Sequence, residues 1–218
     1  MRHWFSFYPV FLTLFLRAGL PANGQTPTPG LRPAAGIETI VFVRHGEKPP
    51  NGLGQITCQG LNRALALPSV LFAKFGRPDF IFAPDPTGKS HDGTLAGYDY
   101  VRPLATIEPT AVRFGLPVNT DFRFEDTAQL ERELTRPGYT DALIFVAWEH
   151  RELEKIVRHL LQRFGGNPAD VPPWPGSDYD RIYVLRLDRR STPNPTITFT
   201  VDHEGLDGLS TDCPEPAH

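Results

Sequence analysis

Two histidines and two arginines follow apolar segments of the chain, at points where strands are expected to end: Arg44, His45, Arg102 and His150. A neutral imidazole nitrogen is a nucleophile that can attack phosphorus. The planar guanidinium group of arginine binds two phosphoryl oxygens at once, which the ammonium group of lysine cannot do. These side chains are therefore suited to phosphoryl transfer, provided that the fold brings them together.

Apolar segments and helical patterns alternate along the chain, which is typical of a mostly parallel sheet covered by helices. The clearest helix carries a single apolar stripe formed by Leu153, Ile156, Val157, Leu160, Leu161 and Phe164. The other segments are strand-like at 39–43, 80–83 and 142–147 and helical at 61–75 and 102–114. Pro68 and Pro109 lie inside the last two patterns, and we expect them to kink or divide those helices.

Two alternating segments near the end of the chain, 182–187 and 196–201, predict an antiparallel hairpin. The expected fold class is therefore α/β, a three-layer sandwich with a mostly parallel sheet that ends in this hairpin. In open α/β sheets, ligands bind beyond the carboxyl ends of the strands. The histidines and arginines named above follow such ends, so we expect them to share one edge of the sheet.

Several short motifs occur together in this order: Arg44-His45-Gly46-Glu47, then Asn51, then Thr57-x-x-Gly60-x-x-x-Ala64, then Arg102 followed by Thr106 and Ala111, and finally His150. In this combination the sequence resembles the histidine phosphatase superfamily, which has the phosphoglycerate-mutase-like fold. The resemblance extends over about residues 38–165. It implies that His45 is the nucleophile and becomes phosphohistidine, and that Arg44, Arg102 and His150 bind the phosphoryl group. Asn51 would contact the phosphate or the loop of His45, and no metal or organic cofactor is implied.

The general acid departs from the family pattern, because His150 is followed by Arg151 rather than by an aspartate. An acid is needed because an alkoxide is a poor leaving group. The candidates are Glu149, Glu152, Glu125 and Asp126. Glu149 is preferred because it adjoins His150 at a strand end, although an acidic residue in the first turn of a helix is also stabilised by the helix dipole.

Charge and spacing weigh against three other kinds of site. A formal net charge of -3 offers no polyanion-binding surface, so nucleic acid is not an expected partner. Residues 83–90 fit a relaxed P-loop pattern, but Pro84 and Pro86 each remove an amide donor. The histidines lack metal-ligand spacing on any one element, so a metal site would have to be assembled entirely by the fold from His45, His91, His150 and His203.

The N-terminal segment predicts export. Residues 1–24 resemble a signal peptide and 25–36 a Pro/Gly linker, and the resemblance implies a histidine phosphatase domain at 37–205, followed by a tail at 206–218. The apolar run is too short to be a permanent membrane span, so we expect a secreted or periplasmic protein, with an uncleaved membrane anchor as the alternative. In an oxidising compartment Cys58 and Cys213 form a disulfide or remain free thiols, and the sequence does not decide between these.

The sequence thus predicts an exported phosphomonoesterase that acts on a small phosphorylated substrate through a phosphohistidine at His45. A non-catalytic phospho-ligand-binding protein of the same fold is the alternative from another functional class. A phosphomutase or a metallohydrolase is less favoured, the mutase because it must protect its phosphoenzyme from water.

Overall fold

The computed structural model describes residues 33–92, 95, 97–191 and 193–215. Its strands are β1 (Ile37–Arg44), β2 (Phe80–Phe82), β3 (Lys89–Ser90), β4 (Tyr98–Asp99), β5 (Val118–Asn119), β6 (Leu143–Trp148), β7 (Arg181–Asp188) and β8 (Thr196–His203). Its α-helices are α1 (Cys58–Phe75), α2 (Arg102–Phe114), α3 (Thr127–Leu134) and α4 (His150–Arg163).

Six strands form one sheet in the order β5-β2-β6-β1-β7-β8. Strands β5, β2, β6 and β1 are parallel, whereas β7 is antiparallel to β1 and β8 is antiparallel to β7. The mostly parallel sheet and its terminal hairpin confirm the predicted fold class. The remaining two strands, β3 and β4, form a separate small hairpin between β2 and α2.

The central strands are buried on both faces, and their side chains alternate between two cores. In β1, Ile40 and Phe42 face a core shared with α3 and α4, whereas Val41 and Val43 face a core shared with α1 and α2. The predicted stripe of α4 lies in the first core, where its members from Leu153 to Leu161 are almost completely buried. The sheet is therefore the middle layer between two helical layers, as the alternating pattern predicts.

The helices differ from the sequence prediction in two details. Helix α1 begins at Cys58 because the hydroxyl of Thr57 accepts a hydrogen bond from the Gly60 amide at 3.1 Å, which caps the first turn. Pro68 and Pro109 lie inside α1 and α2 without dividing either helix. Burial of each helix against the sheet stabilises it by more than the one backbone hydrogen bond that a proline removes.

The C-terminal segment 206–215 is attached to the first helix. A disulfide joins Cys58, the first residue of α1, to Cys213. The side-chain amide of Asn62 donates hydrogen bonds to the carbonyls of Ser210 at 2.9 Å and Asp212 at 2.8 Å. The structure therefore packs the predicted tail, as far as residue 215, against the domain: Leu206 joins the core shared with α1 and α2, and the later residues lie beside α1.

Removing the disulfide is expected to lower the free energy of unfolding by about 2–5 kcal/mol. The bridge joins residues separated by 155 positions, so it strongly restricts the unfolded chain. Urea unfolding of a Cys58→Ser/Cys213→Ser double variant measures the effect. Adding a reductant to the wild type should reproduce the loss and should not affect the double variant. Equal unfolding midpoints for all samples would show that the folded protein has no bridge.

The predicted signal peptide at 1–24 and the linker as far as residue 32 lie outside the described residues. None of the helices that the structure describes has the length and apolar character required to span a membrane.

Candidate active site

The parallel register of the sheet brings the two predicted histidine segments together. Arg44 at the end of β1 is paired with Trp148 at the end of β6, and the His45 amide donates to the Trp148 carbonyl at 3.2 Å. Beyond these strand ends lies a cavity of about 500 Å³. Five of the six predicted site residues line it: Arg44, His45, Arg102, Glu149 and His150. The sixth, Asn51, lies in an exposed turn between β1 and α1, outside the cavity lining.

His45 is held as a neutral, oriented imidazole. Its side chain is almost fully buried, and Nδ1 lies 2.8 Å from the carbonyl oxygen of Gly46. Because a carbonyl only accepts hydrogen bonds, Nδ1 carries the proton and the lone pair is on Nε2. Burial, together with the positive charges of Arg102 and Arg44, lowers the pKa of His45 to about 3. The ring is therefore unprotonated at neutral pH, as a nucleophile must be.

The glycines of the motifs allow the His45 loop to pack closely on α1. A Cβ atom at Gly46 would lie 3.0 Å from the Cα of Gly60, and one at Gly60 would lie 2.7 Å from the carbonyl oxygen of Glu47. Helix α2 holds the same loop, since the Thr106 hydroxyl accepts a hydrogen bond from the Gly46 amide at 2.8 Å. These contacts explain the spacing of the motifs as a packing requirement around the histidine.

Arg63 is a site-supporting residue to which sequence reasoning assigned no role. Its guanidinium group is completely buried, and Nε and Nη2 donate to the carboxylate of Glu47 at 2.7–3.1 Å. Nη1 donates to Glu204 at 2.6 Å. Glu47 lies two residues after His45, so this ion-pair network fixes the loop that carries the histidine. The sequence does carry a signal for this role: Arg63 lies within the Thr57-x-x-Gly60-x-x-x-Ala64 motif, on an otherwise apolar face of α1.

Arg44 is anchored by backbone carbonyls and an aromatic ring. Its Nη1 donates to the carbonyls of Gly176 at 2.9 Å and Asp178 at 2.8 Å, and its guanidinium carbon lies 3.8 Å from the centroid of the Tyr179 ring. Burial lowers the pKa of Arg44 below its usual value. The buried Nε atom has no hydrogen-bond partner among the described residues.

Arg102, the first residue of α2, has a similar arrangement. Its Nη1 lies 2.5 Å from Oδ2 of Asp92, and Nη2 donates to the Ser90 hydroxyl at 3.1 Å. Its Nε is likewise buried without a partner in the part of the chain that the structure describes. Leaving a buried N–H unsatisfied costs about 1–3 kcal/mol. Two such donors beside His45 are suited to binding the oxygens of an anionic ligand.

Glu149 caps α4 and contacts His150. Its Oε2 accepts hydrogen bonds from the amides of Arg151 at 2.7 Å and Glu152 at 3.0 Å. Its Oε1 lies 2.7 Å from Nδ1 of His150, an electrostatic contact without the alignment of a hydrogen bond. Burial raises the pKa of Glu149, but His150 and the two amides outweigh it and lower the pKa to about 2. Both oxygens of Glu149, the proton donor preferred from the sequence, are therefore already engaged by the α4 amides and by His150.

The other acid candidates have different surroundings. Asp126 lies outside the cavity lining, where its carboxylate accepts a hydrogen bond from the Arg123 amide at 3.1 Å. Glu152 lines the cavity but is paired with Lys155 at 2.7 Å. Glu125 also lines the cavity, and its carboxylate makes no hydrogen bond or ion pair with the residues that the structure describes. Of the four candidates, Glu125 is the one left available to a substrate.

The loop between β2 and α2 contributes residues to which the sequence assigned no part in phosphoryl transfer. Ser90, Asp92 and Tyr100 all line the cavity. The signal available was only that a long polar loop follows a strand end. The relaxed P-loop pattern ends here in Lys89 and Ser90, which form strand β3 rather than the start of a helix.

Comparison with solved structures finds proteins of the same fold. A mycobacterial glucosyl-3-phosphoglycerate phosphatase in complex with inorganic phosphate aligns with a TM-score of 0.51 and 13% identity, over 75% of this chain and 95% of that chain. A second protein, described as mycobacterial hydrolase 2, aligns with a TM-score of 0.50 and 13% identity, over 75% of this chain and 89% of that chain. No family model and no curated protein matches the sequence. These similarities confirm the fold.

Proposed function

We propose that the protein is an exported phosphomonoesterase of the histidine phosphatase superfamily and that His45 is its nucleophile. The observation that carries this proposal is a buried, neutral imidazole whose Nδ1 is fixed by a carbonyl, beside two guanidinium groups with unpartnered Nε donors. The likeness in fold to a phosphatase that binds inorganic phosphate supports the same reaction class.

In the proposed reaction, Nε2 of His45 attacks the phosphorus atom of a phosphomonoester. The bond from phosphorus to the leaving oxygen breaks, and that oxygen takes a proton from a carboxylic acid. Water then attacks phosphohistidine and gives its proton to the same carboxylate. Phosphate leaves, and both His45 and the acid regain their starting forms.

Arg44, Arg102 and His150 bind the phosphoryl oxygens in this proposal. Guanidinium groups placed where charge redistributes stabilise the transition state, and they do so most strongly where water is excluded. Arg44 and Arg102 are almost completely buried, and the N-terminus of α4 adds a partial positive charge beside His150. The protein's own side chains therefore supply the positive charge that balances the negative phosphoryl oxygens.

We assign the proton donor to Glu125 and an orienting role to Glu149. Glu125 lies on the cavity surface with its carboxylate unpaired among the described residues, so it can exchange a proton with a leaving group. Glu149 is fixed by α4, and its Oε1 lies against Nδ1 of His150, which leaves Nε2 of His150 for the phosphoryl group. Each carboxylate thus has one task.

A small phosphomonoester is the proposed substrate class, since a cavity of about 500 Å³ is of the size that binds small molecules. Export to an oxidising compartment is the proposed location. The Cys58–Cys213 disulfide supports it, because disulfides persist mainly outside the reducing cytosol.

Turnover of p-nitrophenyl phosphate by the purified protein tests the proposal. We expect saturable hydrolysis and competitive inhibition by vanadate. Prolonged EDTA treatment should not lower the activity, because guanidinium groups rather than a metal ion balance the negative charge of the phosphoryl oxygens. Saturable phosphate binding without any turnover would identify a binding protein instead. Loss of activity with EDTA and recovery with zinc would identify a metallohydrolase.

A further inference from the structure

Asp92 is a carboxylate in the cavity wall that the proposed reaction does not use. Its side chain is about nine-tenths buried, two residues after strand β3 of the small hairpin. A buried carboxylate beside a phosphate-binding site would repel the phosphoryl group, so its presence there calls for a compensating role. The contacts of this carboxylate indicate what that role is.

Three side chains hold Asp92. Lys48 Nζ lies 2.5 Å from Oδ1, Arg102 Nη1 lies 2.5 Å from Oδ2, and the Ser90 hydroxyl donates to Oδ2. Burial raises the pKa of Asp92, but Lys48, Ser90 and Arg102 outweigh it and hold the pKa below its usual value. The carboxylate is therefore ionised when it contacts Arg102.

The loop that follows His45 is shaped to admit Asp92. Gly52 has a φ of +71°, and a Cβ atom there would lie 2.2 Å from the Cβ of Asp92. The Gly52 carbonyl also accepts a long hydrogen bond from Nη1 of Arg102 at 3.4 Å. Glycine at this position thus permits both the left-handed backbone and the close approach of Asp92.

Together these contacts fix the guanidinium group of Arg102 on one side. Asp92 takes Nη1 and Ser90 takes Nη2, whereas Nε is left without a partner among the described residues. Nε is thus the donor of this guanidinium group that neither Asp92 nor Ser90 occupies. An arginine that is fixed before binding loses less side-chain entropy when it binds.

We propose that Asp92 is a positioning residue, which holds Arg102 in the orientation that binds the phosphoryl group. The inference rests on the proposed function, because it takes Arg102 as a phosphoryl ligand. In this role the benefit of orientation exceeds the repulsion between the carboxylate and the phosphoryl group. Removal of Asp92 must then weaken phosphate binding, whereas removal of a mere competing anion would strengthen it.

The test uses the full chain, with inorganic phosphate as the probe. We expect Asp92→Ala to raise the calorimetric Kd for phosphate about tenfold, a value typical of losing one charge-assisted hydrogen bond. The KM for p-nitrophenyl phosphate should rise by a similar factor, with a smaller change in kcat. Asp92→Asn, which keeps an oxygen acceptor but not the charge, should fall between Asp92→Ala and the wild type.

Asp99→Asn is the matched control. Asp99 lies in the same hairpin and pairs with Lys89, another lysine of the cavity wall, but both partners are more than half exposed. This variant should keep the wild-type Kd, KM and kcat. Thermal melting shows whether each variant is folded. If Asp92→Ala does not fold, the binding measurement uses Asp92→Asn, because asparagine has nearly the shape of aspartate.

Two results would overturn the proposal. Tighter phosphate binding by the Asp92 variants would show that the carboxylate competes with the phosphoryl group. Unchanged binding would show that the Asp92–Arg102 ion pair has no effect on the ligand. Phosphate binding is measured without turnover, so a wild type that binds phosphate but hydrolyses nothing would refute the proposed function alone.

Discussion

The His45→Ala variant is expected to lose about a thousandfold or more of the wild-type kcat for p-nitrophenyl phosphate. Its methyl group has no lone pair to attack phosphorus, whereas the two arginines and His150 remain in place to bind the ester. The KM should consequently change far less than kcat. Steady-state kinetics at saturating substrate measures both quantities.

A near-isosteric variant controls for damage to the fold. His45 follows a strand end at the edge of the sheet, as predicted, but its side chain is buried beside Tyr100 and Tyr179. Alanine leaves a cavity there, and cavities destabilise. His45→Asn has nearly the same width and can still donate to the Gly46 carbonyl. The His45→Asn variant should melt close to the wild type and be as inactive as His45→Ala. If it kept more than a few per cent of the wild-type rate, covalent catalysis by His45 would be refuted.

Trapping identifies the covalent step directly. Quenching a reaction at high pH should preserve a phosphoryl group on the peptide that contains His45, and acid should remove it, as expected for a phosphorus–nitrogen bond. The same peptide from His45→Asn should carry no label. A label on another residue would assign the nucleophile elsewhere.

Sequence reasoning predicted those parts of the site that apolar periodicity and strand direction determine. Strands β1 and β6 are apolar on both faces, so they had to be central strands with α4 packed on one side. Parallel central strands end at one edge, which is why His45 and His150 share a cavity although 105 positions separate them. Periodicity and strand direction together were sufficient for this step.

Contacts between distant side chains were beyond the same reasoning. The Tyr179 ring beneath Arg44 is 135 positions away in the sequence, and no period connects the two. Asp92 lies only ten positions before Arg102, yet no helical or strand periodicity connects its carboxylate with that guanidinium group. Such partners are selected by tertiary structure, so a single sequence carries no local signal for them.

The role of Glu149 shows a different limit. Adjacency to His150 predicts proximity correctly, since the carboxylate and imidazole are in contact. Proximity does not distinguish a proton donor from a helix cap, because both require a carboxylate at the same place. The hydrogen bonds from the two amides identify Glu149 as the cap of α4, and His150 together with these amides lowers its pKa to about 2.

Leaving-group dependence locates the proton donor experimentally. Glu125→Gln is expected to slow the hydrolysis of alkyl phosphates about 10²–10⁴-fold, a range typical of a lost general acid. The effect on p-nitrophenyl phosphate should be far smaller, because nitrophenolate leaves with little help from a proton. The ratio of the two kcat/KM values, measured on one preparation, reports the assignment independently of the amount of folded enzyme.

Glu149→Gln is the matched comparison, since it removes a carboxylate from the same cavity and preserves the side-chain shape. If Glu149 orients His150, the variant should slow both substrates by a similar factor, because phosphoryl binding is needed whatever the leaving group. It should also be less stable, since a neutral amide caps α4 more weakly than an ionised carboxylate. The opposite pattern, a leaving-group effect for Glu149→Gln and a uniform loss for Glu125→Gln, would exchange the two roles. A leaving-group effect in neither variant would transfer the proton donor to Glu152.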